Sequence, residues 1–205
     1  MTRPLRGLIA VAMMCWPALA LAQPGTVPTG NECSFLGGYV GAASAEPTQS
    51  LTAGAAAGWR FSPRISTEAR MSWIKRPAGQ SALTAGLSAL MNFRAGQRDQ
   101  PFLRAGFGLY SATFDVAYNV GAAPTFYRRR IEGDPGGGFQ TFNDPAVIMG
   151  AGVQVMSRRS FSWRPEVETF LVFRDSRAYF VATASVQFSF HFDPHRTTPS
   201  RKPGR

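Results

Sequence analysis

The chain has 205 residues, with 22 Lys and Arg against 12 Asp and Glu and a formal net charge of +10. It is long enough for one domain, carries two cysteines, and beyond its N-terminus shows no apolar run near the ~18 residues of a membrane-crossing helix. A disulfide-stapled scaffold and a helical membrane bundle are thereby excluded, and apolar residues dispersed among Gly, Ala and Ser point to many strands.

Residues 1–22 read as a secretory signal. Arg3 and Arg6 form its positive start, Leu8 to Trp16 its apolar stretch, and Ala20-Leu21-Ala22 a small-x-small cleavage site. The alternatives are an uncleaved anchor or lipidation of Cys15, but Ala12-Met13-Met14 lacks the small residue that should precede a lipidated cysteine. Cleavage after Ala22 takes away two arginines and no acid, so +10 becomes +8, and leaves Cys33 as the lone cysteine. A lone cysteine forms no internal disulfide, and no Cys/His cluster suggests a metal site. No cofactor is expected. Residues 23–33 are rich in Pro, Gly and Thr and read as a flexible leader.

Period-2 alternation then recurs along the chain. The first strand, Ser34 to Ala43, is blurred by glycines. In the second, Leu51, Ala53, Ala55, Ala57, Trp59 and Phe61 oppose Thr52, Gly54, Ala56, Gly58 and Arg60. After a turn at Ser62-Pro63-Arg64, Ile65, Thr67, Ala69, Met71 and Trp73 oppose Ser66, Glu68, Arg70 and Ser72. The fourth strand sets Leu83 to Phe93 against Thr84, Gly86, Ser88, Asn92 and Arg94, with Leu90 breaking the pattern. In the fifth, Leu103, Ala105, Phe107 and Leu109 oppose Arg104, Gly106, Gly108 and Tyr110. From Asp115 to Pro145 the rhythm stops, and the spacing predicts a long loop holding Tyr127-Arg128-Arg129-Arg130. The sixth strand carries Val147, Met149, Ala151, Val153 and Val155 outward. The seventh turns Arg164, Glu166, Glu168 and Arg174 inward. The eighth, Ala178 to Phe192, has one apolar face ending in Phe188, Phe190 and Phe192 and one face dominated by small and hydroxylic residues. Residues 193–205 read as a disordered basic tail.

The fold class expected is therefore all-β: an eight-stranded antiparallel up-and-down transmembrane β-barrel over residues 34–192. In a bilayer no water satisfies free backbone groups, so a spanning sheet must close on itself. Eight strands leave a lumen only wide enough for side chains, which suits the glycines on the charged face. Trp59, Phe61, Phe93, Trp163, Phe190 and Phe192 would form one aromatic girdle and Trp73, Phe173 and Phe180 the other. Tight turns alternating with longer loops, and an even strand count, would place both termini in the periplasm. The competing fold is a soluble exported barrel with its apolar face turned inward around an apolar ligand.

The stretches Arg64 to Arg70, Pro101 to Tyr110, Trp163 to Glu168 and the last strand resemble the small outer-membrane β-barrels of the OmpA/OmpX-like, opacity-type superfamily. The resemblance runs from Phe35 to Phe192. It implies a Gram-negative outer-membrane location, outer-membrane lipid and lipopolysaccharide as surroundings, and a last strand read by the barrel-insertion machinery. The thirteen residues after Phe192 depart from the family pattern, in which the chain ends at that strand's aromatic residue.

Two candidate sites follow. Arg60, Glu68, Arg70, Arg94, Arg104, Arg164, Glu166 and Glu168 share the inward face and are expected to pair as a plug, because an unpaired buried charge is costly. If they instead lined a small porin-like channel, five arginines against three glutamates would favour anions. Tyr127, Arg128, Arg129 and Arg130 are expected on the exposed loop, poised for phosphates or acidic polysaccharide. An enzyme is not expected: His191 and His195 are the only histidines, and no nucleophile elbow accompanies them. No nucleic-acid motif accompanies the positive charge, and the barrel is expected to be a monomer with a structural or surface-interaction role.

Overall fold

In a computed structural model the chain is described over residues 33–45, 48–75, 81–94, 97–115, 125–132, 138–158 and 161–192. The signal, the rest of the leader and the tail lie outside these residues. Among the described residues the elements follow in order: β1 (Cys33–Ala45), β2 (Thr48–Arg60), β3 (Ile65–Lys75), β4 (Ser81–Asn92), β5 (Asp99–Asp115), the helix α1 (Thr125–Glu132), β6 (Phe139–Arg158), β7 (Phe161–Arg174) and β8 (Arg177–Phe192). Each strand pairs antiparallel with its sequence neighbour, and β8 pairs with β1 to close the barrel. Closure leaves no strand edge along the wall, which is what lets a sheet stand in hydrocarbon. The strands run from 11 to 20 residues, at or beyond the roughly 9–11 that cross a bilayer.

The alternation read from sequence decides the two faces. Leu51, Met71, Leu87, Leu103, Phe107, Met149 and Phe180 are exposed on the outer wall, while Thr52, Glu68, Arg70, Arg104 and Gln187 are buried in the lumen. Both expected aromatic girdles face outward, from Trp59, Phe61, Phe93, Phe190 and Phe192 at the termini end to Trp73, Phe173 and Phe180 at the α1 end, with Trp163 only half-exposed. This is the inverse of a soluble barrel, which packs its apolar residues inside.

Three expectations on the path of the chain are corrected. The loop drawn from Asp115 to Pro145 is shorter, because β6 begins at Phe139 and carries the Asp144-Pro145 pair inside it, and α1 occupies part of the remainder. Phe142 and Ala146 point inward and keep the strand alternation that the prolines and glycines masked. Second, the connections after β1 and β7 are as short as the turns at the opposite end, so the asymmetry rests mainly on residues 116–138. The β7–β8 turn is made by Asp175 and Ser176, both at positive φ (47° and 61°), the geometry of a two-residue hairpin that matches strand twist. Third, Val155, assigned to the outer face, is fully buried just before the β6–β7 register shifts between Met156 and Arg158.

Glycines mark where neighbouring strands come closest on the lumen side. Gly86 and Gly108 are directly paired. A Cβ on Gly108 would lie 2.3 Å from the Ala85 carbonyl oxygen and 2.8 Å from the Gly86 Cα. Both obstacles are backbone, so neither can rotate away. Gly108→Val should therefore cost about 1–3 kcal/mol or more, measured as a lower urea midpoint for loss of the compact, heat-modifiable gel band. An unchanged midpoint would show that the β4–β5 approach is looser than described.

Candidate functional site

The inward face is built in layers along the barrel axis. Nearest the termini is a polar layer. Ser162 Oγ lies 2.7 Å from His191 Nε2, Gln154 donates to Ser162 Oγ at 3.3 Å, and Arg60 donates through Nη2 to Gln154 Oε1 at 3.3 Å. The close partner of His191 on β8 is thus on the neighbouring β7. Strands β2, β6, β7 and β8 bring these side chains together in the lumen, a juxtaposition invisible in a sequence where Gln154 and His191 are 37 positions apart.

The next layer holds six charges. Glu68 and Arg70 come from β3, Arg104 from β5, and Arg164, Glu166 and Glu168 from β7. Their side chains are at most 5% exposed. Arg164 Nη2 sits 2.7 Å from Glu68 Oε2, and its Nε is 3.0 Å from Glu166 Oε2. Arg70 reaches Glu68 and Glu168 at 3.4 Å each and also pairs with Glu166. Arg104 pairs with both Glu68 and Glu168. Gln187 on β8 stitches the ring: its Oε1 accepts from Arg70 at 2.5 Å and from Arg164 at 2.6 Å. Arg164 also lies over the Phe102 ring at 5.1 Å, a contact that favours a weakly hydrated guanidinium over an ammonium. Three arginines meet three glutamates, so the layer is formally neutral.

Two members of the expected cluster stand apart. Arg60 belongs to the His191 layer. Arg94 is not in the lumen: β4 ends at Asn92, the chain turns outward, and Arg94 is exposed. The alternation had been carried two residues past the end of its strand. The surplus of five arginines over three glutamates thus dissolves into a balanced centre, and with it the argument for anion selectivity. Gln187 was legible on the polar face of β8, but nothing in its own segment marked it as the residue that bridges the ring.

The third layer is apolar. Ile74, Tyr110, Phe114, Phe142, Ile148, Phe170, Val172 and Tyr179 form one buried cluster inside the α1 end of the barrel. Helix α1 drops into it. Tyr127 and Ile131, four residues apart and so on one helical face, are both buried. The Tyr127 ring packs on Phe114, Phe142 and Tyr179 at 5.0, 5.2 and 5.8 Å. Its hydroxyl donates to Asp144 Oδ2 at 2.8 Å, while Arg174 Nε binds Asp144 Oδ1 at 2.6 Å. Burial and the adjacent Asp144 carboxylate push the Tyr127 phenol above its ordinary range, so it remains a donor.

Tyr127, expected on an exposed loop, is thus the anchor of the cap. The arginines that follow it divide: Arg128 is half-buried and Arg130 is exposed, and the side chain of Arg129 lies outside the description. Around α1 opens a cleft of about 340 Å³ lined by Phe126, Tyr127, Arg130, Arg174, Asp175 and Arg177. The sequence had signalled the basic run, but not that the turn before β8 would stand beside it.

No protein-family model matches the chain, and no curated protein matches it in sequence. Solved structures do. Neisserial surface protein A is similar with a TM-score of 0.57 at 13% identity, over 80% of this chain and 98% of that one. The N-terminal β-barrel domain of Pseudomonas aeruginosa OprF gives 0.53 at 12%, over 82% and 100%. Ail, the attachment invasion locus protein of Yersinia pestis, gives 0.51 at 14%, over 78% and 97%. The chain shares the fold of these small eight-stranded barrels.

Proposed function

We propose that this chain is an exported outer-membrane β-barrel of a Gram-negative bacterium, closed to bulk conduction, that serves a structural or surface-interaction role. The observation that carries the reading is the pairing of an apolar outer wall with a lumen whose polar, ionic and apolar layers are buried. A wall bearing Leu87, Leu103, Phe107 and Phe188 exposed would aggregate in water, whereas in lipid it is solvated. In this reading residues 1–22 are cleaved on export, the α1 end faces outward from the cell, the last strand is read by the barrel-insertion machinery, and lipopolysaccharide surrounds the monomer. The reading includes no catalytic step, and the burial of Ser162 and His191 in the lumen supports it.

The purified protein should give no steady conductance in planar bilayers. It should also fractionate with membranes and change gel mobility on heating. The competing small porin is disfavoured by the neutral ionic layer and by the apolar layer above it, which both lie buried across the lumen among the described residues. Stable single-channel currents would establish the porin instead. Aqueous solubility without a mobility shift would establish a soluble barrel.

A further inference from the structure

The cleft beside α1 has the features of a ligand site. Its volume of about 340 Å³ sits at the small end of the roughly 300–1,000 Å³ of ligand pockets. Three guanidiniums line it against one carboxylate. Arg174 is held rigidly, by its ion pair to Asp144 at 2.6 Å and by stacking over the Phe142 ring at 4.7 Å. Arg130 and Arg177 are exposed at the rim, and the contact of Arg130 with Asp175 is a loose 4.0 Å between exposed side chains. One wall is aromatic: Phe126 stacks on Tyr179 at 5.3 Å and 20°. Asp175, in the two-residue turn before β8, also lines the cleft.

We infer that this cleft binds a sugar ring carrying a phosphate ester. A phosphate presents three acceptor oxygens and nearly two negative charges, and three arginines lining one cleft suit that geometry better than a single lysine charge would. The aromatic wall offers a flat apolar surface for the C–H face of a sugar, and the cleft is larger than a bare ion needs. Because Arg174 is already fixed, little side-chain freedom is lost when ligand arrives. The inference rests on the reading of the α1 end as outward-facing for its biological source. That source is either the phosphorylated sugars of lipopolysaccharide in the same membrane or a soluble sugar phosphate.

The test uses the full chain in detergent and in nanodiscs. By calorimetry, mannose phosphate should bind, and mannose and inorganic phosphate should each bind about tenfold more weakly or worse. Arg130→Ala and Arg177→Ala should each weaken mannose phosphate by about tenfold, the usual effect of losing one charge-assisted contact. Both side chains are exposed, so folding should survive, and the heat-modifiable band checks it. Arg64→Ala, at the opposite end, should change nothing. In nanodiscs, tighter association with intact than with dephosphorylated lipopolysaccharide, lost in the double variant, would identify the membrane source. Binding of mannose phosphate without that difference would identify the soluble one. The inference is overturned if the arginine variants bind mannose phosphate as wild type does, if inorganic phosphate binds equally well, or if neither sugar phosphate nor lipopolysaccharide binds. None of these outcomes depends on membrane fractionation, so a failed cleft and a failed membrane reading are told apart.

Discussion

Replacing Glu68 with glutamine should lower the unfolding free energy of the barrel by roughly 3–5 kcal/mol, the cost of breaking a buried ion network by removing one partner. Glu68 is the hub of the ionic layer, with Arg70, Arg104 and Arg164 all within ion-pair distance and its own side chain fully buried. Without its charge, three buried arginines face two glutamates, and the surplus guanidinium is held away from bulk solvent. The companion variant Glu68→Gln with Arg104→Met removes one charge of each sign and should recover most of the loss, because exchanging a buried pair for neutral groups is often close to neutral. Urea unfolding in lipid vesicles, followed by the heat-modifiable band, measures both. A loss under about 1 kcal/mol for the single variant would mean that the layer is hydrated, and would reopen the case for a conducting lumen.

Truncating Tyr127 to alanine should detach α1 while leaving the barrel wall intact. The phenol fills the centre of the aromatic layer and donates to Asp144. Its loss should cost the local closed state about 3–5 kcal/mol as a large aromatic removed from a packed site. The readout is trypsin cleavage at Arg128, Arg129 or Arg130, which needs α1 to open locally. The initial rate should rise more than about a hundredfold, since each ~1.4 kcal/mol is a factor of ten. The variant should still be silent in planar bilayers, because the ionic layer closes the lumen beneath the cap. Wild-type protein should show the corresponding alkaline effect. The folded phenol holds its proton more tightly than the unfolded one, so its contribution is complete below the ordinary phenol value of about 10 and declines as pH rises above it. Unchanged trypsin rates in Tyr127→Ala would show that α1 is held by other contacts.

These two results probe different closures of one lumen, and they differ in how visible they were beforehand. Glu68, Arg70, Arg164, Glu166 and Glu168 could be assigned to one face by alternation alone, because strand side chains have a period of two and a barrel has one inside. That they meet follows from closure: a narrow eight-stranded ring brings β3, β5 and β7 within side-chain reach. Arg94 shows where this inference ends. Periodicity has no marker for the residue at which a strand stops, so a charge just past the end looks like one just before it. The aromatic layer was hidden for a different reason. Tyr179 lies on a face expected to be polar and Phe142 in the stretch expected to be a loop, and only the descent of α1 into the barrel mouth joins them with Phe114 into a core.

From the sequence alone one could determine the strand count, which residues share a face, the aromatic girdles and the grouping of most of the charged cluster on one face, all of which follow from local alternation. Tertiary structure alone decided which charges neutralise one another, that Gln187 bridges them, that Tyr127 is a buried anchor, and that Arg130 and Arg177 share a cleft with Arg174. Those facts depend on the register and depth of strands far apart in the chain. No local pattern encodes depth, because a lumen residue reads the same whether its neighbours across the barrel are arginines or phenylalanines.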